Sequence, residues 1–172
     1  MTYNFQIGTI LEGTIAVNAC LSATLDVLAQ IDSKRAMAFH NELGGIGIPM
    51  DFGGACLGGD VDDWGLDVDE MEAVWEIRHD AVDAVSELCP PYMYFGTHPD
   101  DPACLGFWPC WDAIDMAHQD GELITYGDRR DCVLRELPTD YTGDFMYIND
   151  HGNVTLGRAI NGESVETYWD CV

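Results

Sequence analysis

The stretch VDEMEAVWEIRHDAVDAVSEL, residues 68–88, stands just before the Pro90-Pro91 pair and decides how the chain is read. Within it Met71, Val74, Trp75, Val82, Val85 and the following Cys89 fall on one side at about 100° per residue, the spacing of a helix with one buried face. Glu72, Glu76, Asp80, Asp83 and Glu87 fall together on the opposite side. The spacing predicts a helix over about Val68–Leu88, with Asp67 or Asp69 capping its N-terminus and complementing its dipole. The five carboxylates then form a stripe about 22 Å long. Like charges at i and i+4 destabilise a helix by a few tenths of a kcal/mol per pair, and no Lys or Arg lies on that face. A purely structural helix would gain from mixed signs there.

Upstream, Val17, Cys20, Leu21, Leu25, Leu28 and Ile31 repeat at three- and four-residue steps and predict a helix from Thr14 to Ile31. Ser33 is the expected cap of a second, shorter helix through Leu43 that carries Met37 and Phe39. The glycine-rich stretch that follows, within residues 44–66, has no Gly-Lys-Ser/Thr ending and no Lys, so it reads as a surface loop rather than a phosphate cradle. Beyond Pro90-Pro91 the pattern turns β-like. Tyr92–Phe95 and Leu105–Trp108 are aromatic runs separated by the turn-forming His98–Pro102. Trp111–His118 suits a short helix, and Glu122–Tyr126, Cys132–Leu137 and Phe145–Ile148 suit strands. Asn153–Ile160 and Ser164–Cys171 read as a hairpin closed by Asn161-Gly162, with Val165, Thr167, Trp169 and Cys171 on a buried face. The expected fold is α+β, with N-terminal helices packed on a C-terminal antiparallel sheet. Residues 1–172 are expected to form one domain, mainly helical over 1–89 and mainly β over 90–172.

Charge is the second strong signal. Thirty-one acidic residues face seven basic ones, a formal net charge of −24 on 172 residues. Five Trp, seven Tyr and six Phe supply enough large apolar surface for a real core, unlike acidic disordered tails. No apolar stretch approaches the roughly 20 residues of a membrane span, and Met1–Phe5 lacks the basic start of a signal peptide. A cytoplasmic protein is therefore expected. Its charge opposes contact with anionic lipid or bare nucleic acid and favours a basic protein partner.

Chemistry-bearing motifs are sparse. The seven cysteines, Cys20, Cys56, Cys89, Cys104, Cys110, Cys132 and Cys171, are odd in number and contain no Cys-x-x-Cys. Reduced, structural thiols are expected. Cys104 and Cys110 with His98, His118, Cys132 or His151 lack the short chelating loop of structural zinc, so no metal or cofactor is expected. His151 beside Asp150, with Cys132 or Cys171, could suggest a nucleophile and base, but no glycine-rich turn or helix N-terminus serves either thiol and the negative field disfavours thiolate. Pairs such as Asp62-Asp63 and Asp100-Asp101 are expected by chance among so many carboxylates. Arg129-Arg130 is expected to pair with Asp128 and Asp131. The chain reads as a non-enzyme.

The runs Tyr94–His98 with Gly106–Trp108, and Asn149–Leu156, resemble segments of small acidic proteins from phages, plasmids and bacterial genomes. In charge and size the chain is also similar to nucleic-acid-mimic inhibitors of the anti-CRISPR and anti-restriction type. That similarity implies a partner with a basic nucleic-acid groove, such as a nuclease or a CRISPR effector complex. The stripe offers one charge per about 5 Å against about 3.4 Å along a DNA strand. Mimicry thus calls for a second set of charges, from Asp60, Asp62, Asp63, Asp67 and Asp69 or from the mate in a homodimer. One Lys against 21 Asp equally suits adaptation to high salt, and a structural acidic protein whose charge limits self-association is the third reading. Salt separates them. A mimic keeps its helical circular dichroism at ordinary ionic strength, whereas loss of structure below about 0.5 M salt, far beyond screening conditions, would indicate halophilic folding.

Overall fold

The computed structural model describes residues 3–48 and 64–171. These fall into two compact units, one mainly Gly8–Cys89 with Tyr94–Trp108 and the other mainly Pro90–Met93 with Pro109 onward. With N-terminal helices and a four-stranded C-terminal sheet, the chain is α+β. No helix among the described residues is long and apolar enough to cross a membrane.

The first unit holds β1 (Gly8–Leu11), α1 (Val17–Ile31), α2 (Ser33–Gly45), α3 (Val68–Ser86) and all but one terminal residue each of β2 (Met93–His98) and β3 (Asp101–Pro109). α1 starts at Val17 rather than Thr14, because the Thr14 hydroxyl accepts the Ala16 amide at 3.0 Å and holds the chain in a turn. The cap of α2 is Asp32, not Ser33: its Oδ1 accepts the amides of Lys34 and Arg35, each at 3.1 Å. Gly44 and Gly45 belong to the end of α2 rather than to a loop. Val17, Leu21, Leu25, Leu43, Val74, Ile77 and Ala81 share one buried cluster, so α1, α2 and α3 each contribute a face. Burial of each large aliphatic side chain stabilises by about 1.5–3 kcal/mol. The buried arc of α3, Val74, Ile77, Ala81, Ala84 and Val85, is rotated from the expected one, leaving Trp75 41% exposed. Alanines at 81 and 84 permit close approach there. Periodicity alone cannot choose between two adjoining apolar arcs, and the packing of two neighbouring helices does.

β1, β3 and β2 form a three-stranded sheet in that order. β1 runs antiparallel to β3, with Thr9 opposite Gly106 and a bulge between Thr9 and Leu11. A side chain at Gly106 would overlap the Gly8 carbonyl, so that close crossing requires glycine. Phe95 and Phe107 pack with ring centroids 5.0 Å apart.

The second unit holds α4 (Trp111–Gln119), β4 (Leu123–Gly127), β5 (Gly143–Ile148), β6 (Val154–Ile160) and β7 (Glu163–Cys171), with sheet order β4-β5-β6-β7. β5–β6 and β6–β7 are antiparallel, but β4–β5 is parallel, so one edge departs from the expected antiparallel pattern. A parallel pair needs a crossover, and residues 128–142 supply it. The strand expected over Cys132–Leu137 falls in this crossover and is irregular, apart from a bridge between Tyr126 and Leu134. The Arg135 guanidinium donates to the carbonyls of Gly127 (3.3 Å) and Arg129 (2.6 Å). The hairpin at Asn161-Gly162 is as expected, with φ of 52° and 76°, the two positive values its tight turn needs. In β7 the expected alternation fails: Val165 and Thr167 are exposed and Trp169 is buried. Two register shifts against β6 break the two-residue period.

A polar clamp marks this unit. The Tyr92 and Tyr168 hydroxyls donate to the two carboxylate oxygens of Asp144, each at 2.9 Å, and the Tyr141 hydroxyl donates to the Asp144 carbonyl at 2.6 Å. Partial burial, then the Asp144 hydrogen bond, raises the Tyr92 pKa and pushes Tyr168 up to about 12. Unfolded tyrosine titrates near 10. The clamp therefore contributes fully below pH 10, and its contribution is lost as pH rises through 12. An absorbance titration should show late-ionising tyrosines, and Asp144→Asn should bring Tyr168 down toward 10. Ionisation of all seven tyrosines near pH 10 in the folded protein would contradict the clamp.

Candidate acidic binding surface

α3 is held by a capping box. Asp67 accepts the Glu70 amide at 2.9 Å, and the Glu70 carboxylate accepts the Asp67 amide at 2.9 Å. Asp69 and Glu70 add negative charge to the first turn, favourable to the helix dipole. With the core arc turned inward, Glu72, Glu76, Asp80, Asp83 and Glu87 are all exposed along the opposite side. Asp69, three residues before Glu72 and also exposed, extends this row to six carboxylates over about 27 Å.

One feature of the row escaped the sequence. Arg35 on α2 reaches Glu87 at 2.9 Å and its own cap Asp32 at 3.6 Å. The guanidinium comes from 52 residues away, so no local spacing could have placed it there. The pair is largely exposed and contributes about 0–1 kcal/mol. Glu72, Glu76, Asp80 and Asp83 have no ion-pair partner among the described residues. The second set of charges is only partly brought to this face. Asp69 joins the row, whereas the Asp67 carboxylate is committed to its cap. Asp60, Asp62 and Asp63 lie outside the described residues.

The row is flanked by exposed apolar surface. Val68 is 82% exposed and Trp75 41% exposed. The Arg78 guanidinium lies 5.4 Å from the Trp75 ring centre, a cation–π contact. Trp75, expected in the core, instead lines an open cleft beside the carboxylates, and Met71, packed against the core cluster as expected, shows its outer side to the same cleft.

The other candidate residues are dispersed. The six described cysteines are unbridged; burial pushes the Cys89 thiol up to about 12, and a hydrogen bond to Asp101 raises Cys104. Among the described residues no group of three or more His, Cys, Asp or Glu side chains is placed to hold a metal ion. His98 accepts the Asp100 amide at 3.1 Å and its ring meets Trp108 edge-on. The turn at 149–153 is organised by the Asn149 side chain, whose Oδ1 accepts the amides of His151 (3.0 Å) and Asn153 (2.9 Å), while the His151 imidazole is exposed. Arg129 pairs with Asp131 at 3.0 Å as expected, but Asp128 accepts from Tyr147 at 2.8 Å instead.

These contacts separate structural acids from surplus ones. Asp67→Ala should lower unfolding free energy by about 1 kcal/mol in chemical denaturation, whereas Asp80→Ala should leave it unchanged or raise it slightly. Comparison with known proteins finds no match: no family model fits the chain, and no curated protein or solved structure is significantly similar to it.

Proposed function

We propose that this chain is a non-enzymatic acidic binding protein of phage or mobile-element type. Its role is to occupy the basic nucleic-acid groove of a host nuclease, CRISPR effector or replication protein and so inhibit it. The observation that carries this reading is the row Glu72, Glu76, Asp80 and Asp83, exposed on a rigid, capped helix and unneutralised. A groove built for phosphates attracts such a row through long-range fields, which speed encounter and fade with salt. A helix fixes the carboxylates about one turn apart, so little ordering entropy is lost when they meet fixed Lys and Arg.

A tagged pull-down from bacterial lysate at low and high salt, read by mass spectrometry, should enrich a nucleic-acid-binding protein at low salt. Reversal of Glu72, Glu76, Asp80 and Asp83 to Lys should weaken that capture by about a hundredfold or more, with the circular dichroism intact. Undiminished capture by the folded reversal variant would remove the row as the interface. Absence of any stoichiometric partner would remove the inhibitory role.

A further inference from the structure

The carboxylate row adjoins a cleft of about 560 Å³ lined by Leu66, Asp67, Val68, Met71, Glu72 and Trp75. That volume lies within the range of small-ligand pockets, and the cleft is open to solvent. Its floor and walls are aliphatic, aromatic or thioether, and its polar members are both carboxylates. Three observations make it more than a chance hollow. Val68 occupies the first position of α3 with 82% of its surface exposed, where a polar residue would cost nothing. Trp75 has the Arg78 guanidinium over its ring at 5.4 Å, a contact that modestly favours one orientation of the indole before any partner arrives. Glu72 belongs to both cleft and row, making the apolar and acidic surfaces continuous.

We infer that this cleft takes a single large apolar side chain presented by a basic segment of the partner protein, with flanking Lys or Arg seated along Glu72, Glu76 and Asp80. Charge complementarity selects that occupant. An acidic segment would be repelled by Asp67, Asp69 and Glu72, as would a nucleic acid, and a neutral segment would gain no attraction from them. A preorganised Trp in an apolar pocket ringed by charge has the character of an interface hot spot. The inference rests on the proposed function, since it names what the partner's basic surface must also carry. It accounts for selectivity: charge alone would fit any phosphate-binding groove, whereas an apolar anchor restricts the fit to one.

The test uses two synthetic Lys/Arg-rich peptides of equal charge, one with a central Leu and one with Gly in its place, titrated calorimetrically against the full chain. The Leu peptide should bind at least tenfold more tightly, and the ratio should persist at 0.5 M salt, roughly a Debye length of 4 Å, as both affinities fall. Trp75→Ala and, independently, Val68→Ser should bring the two peptides to equal affinity; Val68 is too exposed for its replacement to threaten the fold. Reversal of Glu76, Asp80 and Asp83, which lie outside the cleft, should weaken both peptides alike and leave the ratio. Equal binding of the two peptides to the unaltered chain, or a ratio surviving Val68→Ser, would overturn the cleft. Indifference of both peptides to the charge reversal would overturn the row instead, so the two failures are told apart.

Discussion

Burial of one face of α3 against α1 and α2 determines where every carboxylate of that helix must go. Val74, Ile77 and Ala81 enter a cluster with Leu21, Leu25 and Leu43, and the rotation this enforces carries Asp69, Glu72, Glu76, Asp80 and Asp83 outward together. Repulsion along that row costs tenths of a kcal/mol per pair, less than one buried aliphatic side chain contributes. The helix tolerates the row because its stability comes from tertiary contact and from the Asp67–Glu70 capping box, with propensity contributing little.

Seven basic residues cannot neutralise thirty-one acidic ones, so the places they occupy matter. Arg35 joins the first turn of α2 to the C-terminal end of α3 through Glu87. Arg129 meets Asp131, Arg135 satisfies two carbonyls in the crossover, and Arg78 braces Trp75. Each serves local geometry. None meets the four central carboxylates of the row, and that surplus is what a basic partner would use.

Two acids of the second unit behave differently. Asp144 is enclosed by two phenols, and Asp128 accepts from Tyr147. The tyrosines there stay protonated far above neutral pH, so these carboxylates act as hydrogen-bond acceptors within the fold. Net charge treats all carboxylates as equal, whereas their contacts divide them into structural acceptors, helix caps and solvent-facing charge.

The sequence by itself determined the helices, the C-terminal hairpin and the acidic row. A 3.6-residue period needs only one buried side to be visible, so α1, α2 and α3 were legible, as was the Asn161-Gly162 hairpin, whose positive backbone angles few residue pairs adopt. The row at 72, 76, 80, 83 and 87 was legible for the same reason, because residues three and four apart must share a helix face. Tertiary structure alone decided which of two apolar arcs of α3 is buried, since that depends on how α1 and α2 approach it. It therefore also decided that Trp75 and Met71 line a surface cleft. It placed Arg35 on Glu87, paired β4 parallel to β5, and turned Val165 outward through register shifts. The helix packing and the Arg35–Glu87 pair depend on residues far apart in the chain, and the register shifts on how two strands meet across a hairpin; no local period encodes either.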